Sequence, residues 1–507
     1  MTFERTKNST RTMLFGIINR IITILLPFVT RTIIIHKLGS EYAGLSSLFT
    51  SVLTVLNISE LGISSAITFC LYEPVAKDRK DEVRALLGLF RKIYWIIGGV
   101  ILAGGAVAMP FLKYLISADY PEDINLYLLF AIYLLNSAFS YFTSAYKTVI
   151  FNVYQRGDIA HNINSVAEIF KYAAQIVVLL VWSDYYLFVL ILLISTMLIN
   201  LLTGIISRRK YPELYPKGTA SKQIKDVIKN KTVYLAAHSV TAKLINAADN
   251  IIISSFIGLV AVGVYGNYNY ISTSIIGLIL IVYGAVRAPI GNSIHTESKE
   301  TNLKIYNSLW LGSTWLATWC AISMLCLYQP FITLWVGAEN LLPITTVIYI
   351  VLYFHANACN QFFTTTYIGI AGLWNKTLIR QIIAAVVNLG LNLLLGIYFG
   401  VAGVVFASFI TTLLIVYPFD IFITYKYVLK ESPKKGFAAA AINYLWFVLL
   451  GGGCYFLCEQ LPFEGILNIL LRAAVCIVVP NVIYYAAIRK TEEWRFLWDH
   501  AKSLIKR

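Results

Sequence analysis

The chemistry in this sequence is carried by ionised residues set inside long apolar stretches. Arg20 and Arg31 lie eleven positions apart in one of them. That spacing is three turns at 3.6 residues per turn, so a helix here turns both guanidinium groups to one side, with Thr23 between them. A second stretch repeats the idea, because Ser239, Lys243, Asn246 and Asn250 fall within about 60° of one another on a helical wheel. A charge at the centre of a membrane span costs about 3 kcal/mol or more, so such stripes are expected to face a partner or a water-filled cavity. Cationic and amide donors on one face suit an anionic group held by charge-assisted hydrogen bonds. Arg20, Arg31 and Lys243, with Asn246 and Asn250, are expected to surround one. The competing reading has Arg20 and Arg31 snorkelling to opposite interfaces.

A buried cation needs a counter-charge when no anion is bound, and Asp249, Glu60 and Asn57 are the available partners. A carboxylate in that role could also bind a proton or a sodium ion; ion pairing alone is the equal alternative. Lys147 and Arg287 sit near the ends of two further apolar stretches, where they would collect a phosphate head group or simply anchor the chain. Glu168 and Lys171, three apart, are expected to pair with each other. No G-x-x-x-x-G-K-[ST] run is present, so no phosphate-binding loop for ATP hydrolysis is expected. The seven cysteines and six histidines show no metal-ligand or redox spacing, and neither a metal nor a cofactor is expected.

The elements that position these residues follow from composition. The chain has 507 residues, of which 58% are hydrophobic and only 13% charged, against roughly a quarter charged in soluble domains. A window of about 20 apolar residues spans a bilayer, and fourteen such windows lie near 13-35, 42-71, 93-117, 124-148, 160-182, 185-206, 232-257, 261-286, 305-335, 342-369, 378-398, 402-426, 437-458 and 464-488. The fold expected is therefore an all-α polytopic membrane protein with fourteen transmembrane helices. The net charge of +15 would suit nucleic acid if it formed one patch. With the N-terminus inside, however, the basic residues concentrate in cytoplasmic segments, which is the positive-inside pattern. Asp119, Glu122, Asp123, Asp184 and Glu339 are expected in external loops, both termini are expected in the cytoplasm, and no nucleic-acid partner is expected. The first window has no cleavage site behind a short apolar core and is expected to be retained.

Two related halves are legible at an offset near 219 residues. The run from Arg31 through Gly39 and Gly44 parallels that from Asp249 through Gly258 and Gly263. Phe142-Thr-Ser-Ala-Tyr146 parallels Phe363-Thr-Thr-Thr-Tyr367, and Tyr154-Gln-Arg156 parallels Trp374-Asn-Lys376. Six spans per half keep the two repeats in the same orientation. The organisation expected is a six-helix bundle over 1-206, a basic cytoplasmic linker over 207-231, a second six-helix bundle over 232-428, two added helices over 429-488, and a tail over 489-507. In the tail Trp494, Leu497, Trp498, Ala501 and Ile505 share one helical face, as in a helix lying on the cytoplasmic surface or docking on a partner.

Several runs carry a family likeness: RTIIIHKLGSEYAGLSSLFTSVLTVLNISELGISSAITFCLYEPV from Arg31 to Val75, then YGNYNYISTSI, PIGNSI, YQPFITLWVG, AGLWNK and VNLGLNLLLGIYFGVAGVVFAS. In these the chain resembles the polysaccharide and O-antigen flippases of the multidrug, oligosaccharidyl-lipid and polysaccharide exporter superfamily. The resemblance implies two six-helix bundles in a V around a central cavity, with the last two helices appended. It further implies an undecaprenyl-diphosphate-linked oligosaccharide as cargo, flipped to the outer leaflet of the bacterial inner membrane, exchange against protons or sodium, and a polysaccharide polymerase as downstream partner. Drug or cation extrusion on the same fold would prefer acidic cavity residues. A polymerase, the enzymatic alternative, would need a large external loop, which the spacing of the windows does not leave. A non-transporting scaffold would leave the buried charges without a use.

Overall fold

The computed structural model describes residues 5–60, 62–117 and 120–505, and within them the side chains of 229–242 and Asn246, among others, lie outside the description. All regular structure among the described residues is helical. In a bilayer this is dictated by the backbone, because an N–H or C=O facing hydrocarbon must find its partner within the chain.

Contacts divide the chain into two compact units, 1–263 and 264–507. The first holds α1 (Arg5–Lys37), α2 (Ser40–Leu56), α3 (Ile63–Ala76), α4 (Lys80–Ala108), α5 (Leu126–Phe142), α6 (Thr148–Val153), α7 (Gly157–Val181), α8 (Tyr185–Lys210) and α9 (Lys222–Phe256), with the start of α10 (Leu259–Thr296). Within it α1 lies along α7, α7 packs on α8, α4 on α5, and α9 is held by α2 and α3. Leu45, Leu48, Phe49, Phe90, Phe130 and Phe151 fill its interior. Polar caps fix where helices begin: the Asn125 side chain accepts from the N–H groups of Tyr127 and Leu128 ahead of α5, and Asp184 from Leu187 ahead of α8. Such a cap satisfies donors that a helix leaves open at its N-terminus.

The second unit holds the rest of α10, then α11 (Lys299–Val336), α12 (Ile344–Phe362), α13 (Trp374–Thr411), α14 (Tyr417–Ile423), α15 (Pro433–Glu459), α16 (Gly465–Ile488) and α17 (Glu492–Ile505). Here α11 is central, packing against α12, α15, α16 and α17. α13 turns sharply at Gly400, whose φ of 61° and ψ of −141° are open only to glycine, and the sequence windows 378-398 and 402-426 meet at that turn. The tail helix α17 lays Trp494 against Trp315 and Tyr485, at ring-centroid distances of 5.9 and 5.6 Å, and stacks it on Trp498. Trp494, Leu497 and Trp498 of the apolar face thus sit against their own unit; the side chains of Ala501 and Ile505 lie outside the described residues.

Nine of the described helices are long and apolar enough to cross a membrane, or ten if the bent pair Leu126–Phe142 and Ala145–Val153 counts as one span. The protein is a multi-pass membrane protein. Trp374–Leu429 counts among them as a single span of 56 residues, although α13 reverses within it at Gly400.

The internal repeat has a geometric counterpart. Gly39 and Gly258, 219 positions apart, both take positive φ, 112° and 122°. A Cβ on Gly44 would meet the carbonyl oxygen of Leu259 at 2.1 Å, and one on Gly263 would meet that of Ser40 at 2.1 Å. The two contacts exchange under the same 219-residue offset, so α2 and the start of α10 approach each other symmetrically through glycines. Small residues that let helix backbones approach closely are the common glue of membrane helices.

Candidate functional site

The polar interior of the first unit is built where α2 gives way to a 3-10 turn over Asn57–Glu60. This break carries Asn57 and Glu60 into a cavity of about 430 Å³, also lined by Thr50, Thr54, Tyr94, Tyr133, Asn136, Ser137, Ser140 and Tyr141. Asn57 and Ser137 exchange hydrogen bonds at 3.0 and 3.1 Å, and Thr196 donates to Asn136 at 2.7 Å. Glu60 accepts from the hydroxyls of Tyr94 at 3.0 Å and Tyr141 at 3.2 Å, one on each carboxylate oxygen. Among the described residues Glu60 makes no salt bridge. The partners of this carboxylate are phenols, not the cations of α1 and α9.

The cations selected from the sequence are distributed around this unit. Arg31 donates through Nη2 to the carbonyl of Gly263 at 2.8 Å, at the glycine crossing described above. Arg20 is partly buried, and its Nε is buried without a hydrogen-bond partner among the described residues. Lys243 is exposed on α9. Asn250 donates to Ser51 Oγ at 3.0 Å, tying α9 to α2, and Asp249 beside it is buried. The side chains of Ser239 and Asn246 lie outside the described residues. Lys147 is half-buried, close enough to Arg208 and Arg91 for their charge to act on it. These three cations come from α8, α4 and the segment after α5, and Lys147 and Arg91 stand two and three residues from the cavity-lining Ala145 and Tyr94. Glu168 and Lys171 pair at 2.6 Å. In the second unit, Arg287 stands exposed on α10.

The second unit contains a polar interior that the sequence reading missed. Arg380 of α13 and Asp420 of α14 form an ion pair at 2.9 Å with side chains 6% and 0% exposed. Around it the helices widen into π turns at Phe363–Ile368, Thr412–Val416 and Thr424–Leu429. Wide turns of this kind are rare and gather at functional sites. Asn360, Gln381, Thr411 and Thr424 each keep a buried polar atom without a partner among the described residues, as do Arg380 and both carboxylate oxygens of Asp420 by hydrogen-bond geometry. A signal was available: both residues are charges inside apolar windows, and the cost argument that selected Arg20 and Arg31 applies to them equally.

The three cysteines Cys326, Cys458 and Cys476 also come together, their sulfurs all within 4.8 Å of one another. Their sequence separations of 132 and 18 residues conceal this, because the helices that bring them together meet only in the tertiary structure.

The chain is multi-pass and all-helical among its described residues, with polar interiors. The chain belongs to the family described as "Polysaccharide biosynthesis protein", whose profile matches residues 7–295. Its fold is similar to that of a solved lipid II flippase, MurJ, in an inward closed conformation, with a TM-score of 0.66 and 16% identity over 94% of this chain and 99% of that one. It is similar also to an inward-facing multidrug resistance MATE transporter of the MOP superfamily, with a TM-score of 0.60 and 15% identity over 82% of this chain and 98% of that one. A third likeness is to the Vibrio cholerae MATE transporter VcmN in its bent form, with a TM-score of 0.53 and 13% identity over 84% and 98% of the two chains. Comparison with curated protein sequences gave no significant match. The fold is one that these solved transporters and flippases share.

Proposed function

We propose that this protein is a flippase that moves an undecaprenyl-diphosphate-linked oligosaccharide from the cytoplasmic to the outer leaflet of a bacterial inner membrane, by alternating access. The observation that carries the proposal is a polar cavity of about 430 Å³ in a chain whose family is that of polysaccharide biosynthesis. The lining combines amides, hydroxyls and phenol rings, which suit sugar hydroxyls and sugar faces, with Leu53, Leu192 and the Glu60 carboxylate. A diphosphate leaves water only for desolvated cationic donors. Arg20, Arg31 and Lys243, with the neighbouring group of Lys147, Arg91 and Arg208, supply them in this reading, Arg287 adds a further cation, and Asn246 and Asn250 add amide donors. Glu60 and Asp249 are the groups through which a proton or sodium ion would be coupled. The proposed topology has fourteen crossings, both termini in the cytoplasm, and a polysaccharide polymerase acting on the delivered unit.

Depletion of the protein tests this. Lipid-linked oligosaccharide is sorted into inner- and outer-leaflet pools by enzyme accessibility in spheroplasts. Accumulation of complete, inward-facing units is the expected result, and normal outward exposure overturns it. Outward-facing units left unpolymerised would indicate a polymerase instead. Extrusion of organic cations is the second reading, because Glu60 puts a carboxylate in the cavity. It predicts a fall in drug resistance on depletion with no change in the lipid-linked pools.

A further inference from the structure

We propose that Cys326, Cys458 and Cys476 form a binding site for a soft monovalent cation of the copper(I) type, which clamps α11, α15 and α16 together. The three sulfurs lie mutually within 4.8 Å and all three residues are buried, at 0%, 0% and 1% exposure. Metal–sulfur bonds of about 2.3 Å in a trigonal plane separate the sulfurs by roughly 4.0 Å, so a small inward shift of the thiols completes the coordination.

The donor set selects the ion. Thiolates favour copper(I), zinc and iron–sulfur chemistry, but a structural zinc ion takes four protein ligands. Among the described residues no fourth histidine, cysteine or carboxylate joins the three sulfurs. Trigonal coordination by sulfur alone is a copper(I) geometry. Arg472 beside the cluster is paired with Glu459 at 3.0 Å. The thiolate is the form that binds metal, so copper(I) displaces the three thiol protons, and the Arg472 guanidinium stands beside the negative charge that results.

The surroundings supply what a metal site needs beyond its ligands. Two of the ligand residues have their backbones pinned, since Trp319 Nε1 donates to the Cys476 carbonyl at 3.0 Å and Arg472 Nη1 to the Cys326 carbonyl at 3.3 Å. Such outer contacts hold ligands in place. Cys458 is one residue from the end of α15, and the next residue, Glu459, is about half exposed and adjoins the turn to α16.

The test uses the full-length protein in detergent, reduced and anaerobic. Tetrakis(acetonitrile)copper(I) is added in competition with a chromophoric copper(I) chelator. One copper(I) retained per chain is expected, with X-ray absorption showing sulfur scatterers at a single short distance and three in number. Retention falls from one to none in Cys326→Ser, Cys458→Ser and Cys476→Ser, and is kept in Cys70→Ser and Cys320→Ser. Bound metal raises the melting temperature of the wild type but not of the three serine variants. The absorption spectrum on the wild type stands even if a serine variant fails to fold. No retained copper, retention unchanged in the serine variants, fewer than three sulfur neighbours, or a disulfide joining two of the three cysteines in protein isolated without reductant would each overturn the proposal.

Discussion

The two polar interiors answer the same problem, a charge inside an apolar fold, in opposite ways. In the first unit Glu60 is a carboxylate without an ionic partner among the described residues, held by the hydroxyls of Tyr94 and Tyr141 beside an open cavity. In the second unit Asp420 is sealed against Arg380 between two π turns. Phenols donate to a carboxylate without cancelling its charge, so the charge of Glu60 is not offset by an ion pair among the described residues. The guanidinium of Arg380 does cancel the charge of Asp420, at the cost of desolvating both. The comparison separates a carboxylate held by neutral donors from one whose removal leaves an uncompensated charge.

The largest effect is therefore expected at the ion pair. Asp420→Ala leaves Arg380 charged and buried and should destabilise the protein by about 3–5 kcal/mol, whereas the double replacement Arg380→Met with Asp420→Leu should restore most of the loss. Thermal unfolding in detergent measures both, and an Asp420→Ala variant that melts like the wild type would remove the contrast between the two interiors. Next comes the glycine crossing. Gly44→Ala and Gly263→Ala each drive a Cβ onto a backbone carbonyl, and overpacking of this kind costs roughly 1–3 kcal/mol. The symmetry of the contact predicts similar losses for the two, which unequal melting temperatures would disprove.

Smaller effects on stability, with a clear one on activity, are expected in the first unit. Glu60→Gln keeps a side chain that can bond both phenols, so the variant should fold within about 1 kcal/mol of the wild type while export of lipid-linked oligosaccharide falls roughly tenfold or more. Full export from Glu60→Gln would reduce Glu60 to a packing role. Arg31→Ala and Lys243→Ala should abolish export with the protein still folded, and normal export from both would refute their assignment to the cargo.

The least change is expected at a loop carboxylate. Glu431 lies outside the spans, between Lys299 at 2.8 Å and Lys435 at 3.0 Å. Hydrogen bonds and charge from these lysines hold its carboxyl down to about 2, against an ordinary value of 4.5. A carboxylate with a lowered folded value stabilises above its unfolded value, and that contribution fades as pH falls from about 4.5 through about 2. Glu431→Gln should therefore lower the melting temperature slightly at neutral pH, with a flatter acid limb as the gap to the wild type closes between those values. An unchanged acid limb would show that these exposed pairs contribute nothing measurable.

Much of this was legible because lipid imposes simple rules. A window of apolar residues has to become a helix, and the helix α1 follows from its first window as α16 does from its last. Arg20 and Arg31 could be selected by spacing on a single helix, as could the pair Glu168 and Lys171. The 219-residue offset, weak as a string match, reappears as positive φ at Gly39 and Gly258. Other groupings were hidden, because each depends on which helices touch. Lys147 gained Arg91 and Arg208 from two other helices, and Glu60 gained Tyr94 and Tyr141 in place of the expected cations.

What the sequence determined by itself is the class of molecule: a multi-pass, all-helical membrane protein with charges where charges are costly. Local rules suffice for that, since the bilayer's demand for backbone satisfaction and the helical period act within one segment. The tertiary structure decided the partners. Whether a buried carboxylate faces a phenol or a guanidinium, and whether three distant thiols share one point, depends on packing between helices far apart in the chain. No pattern within a single helix contains that information.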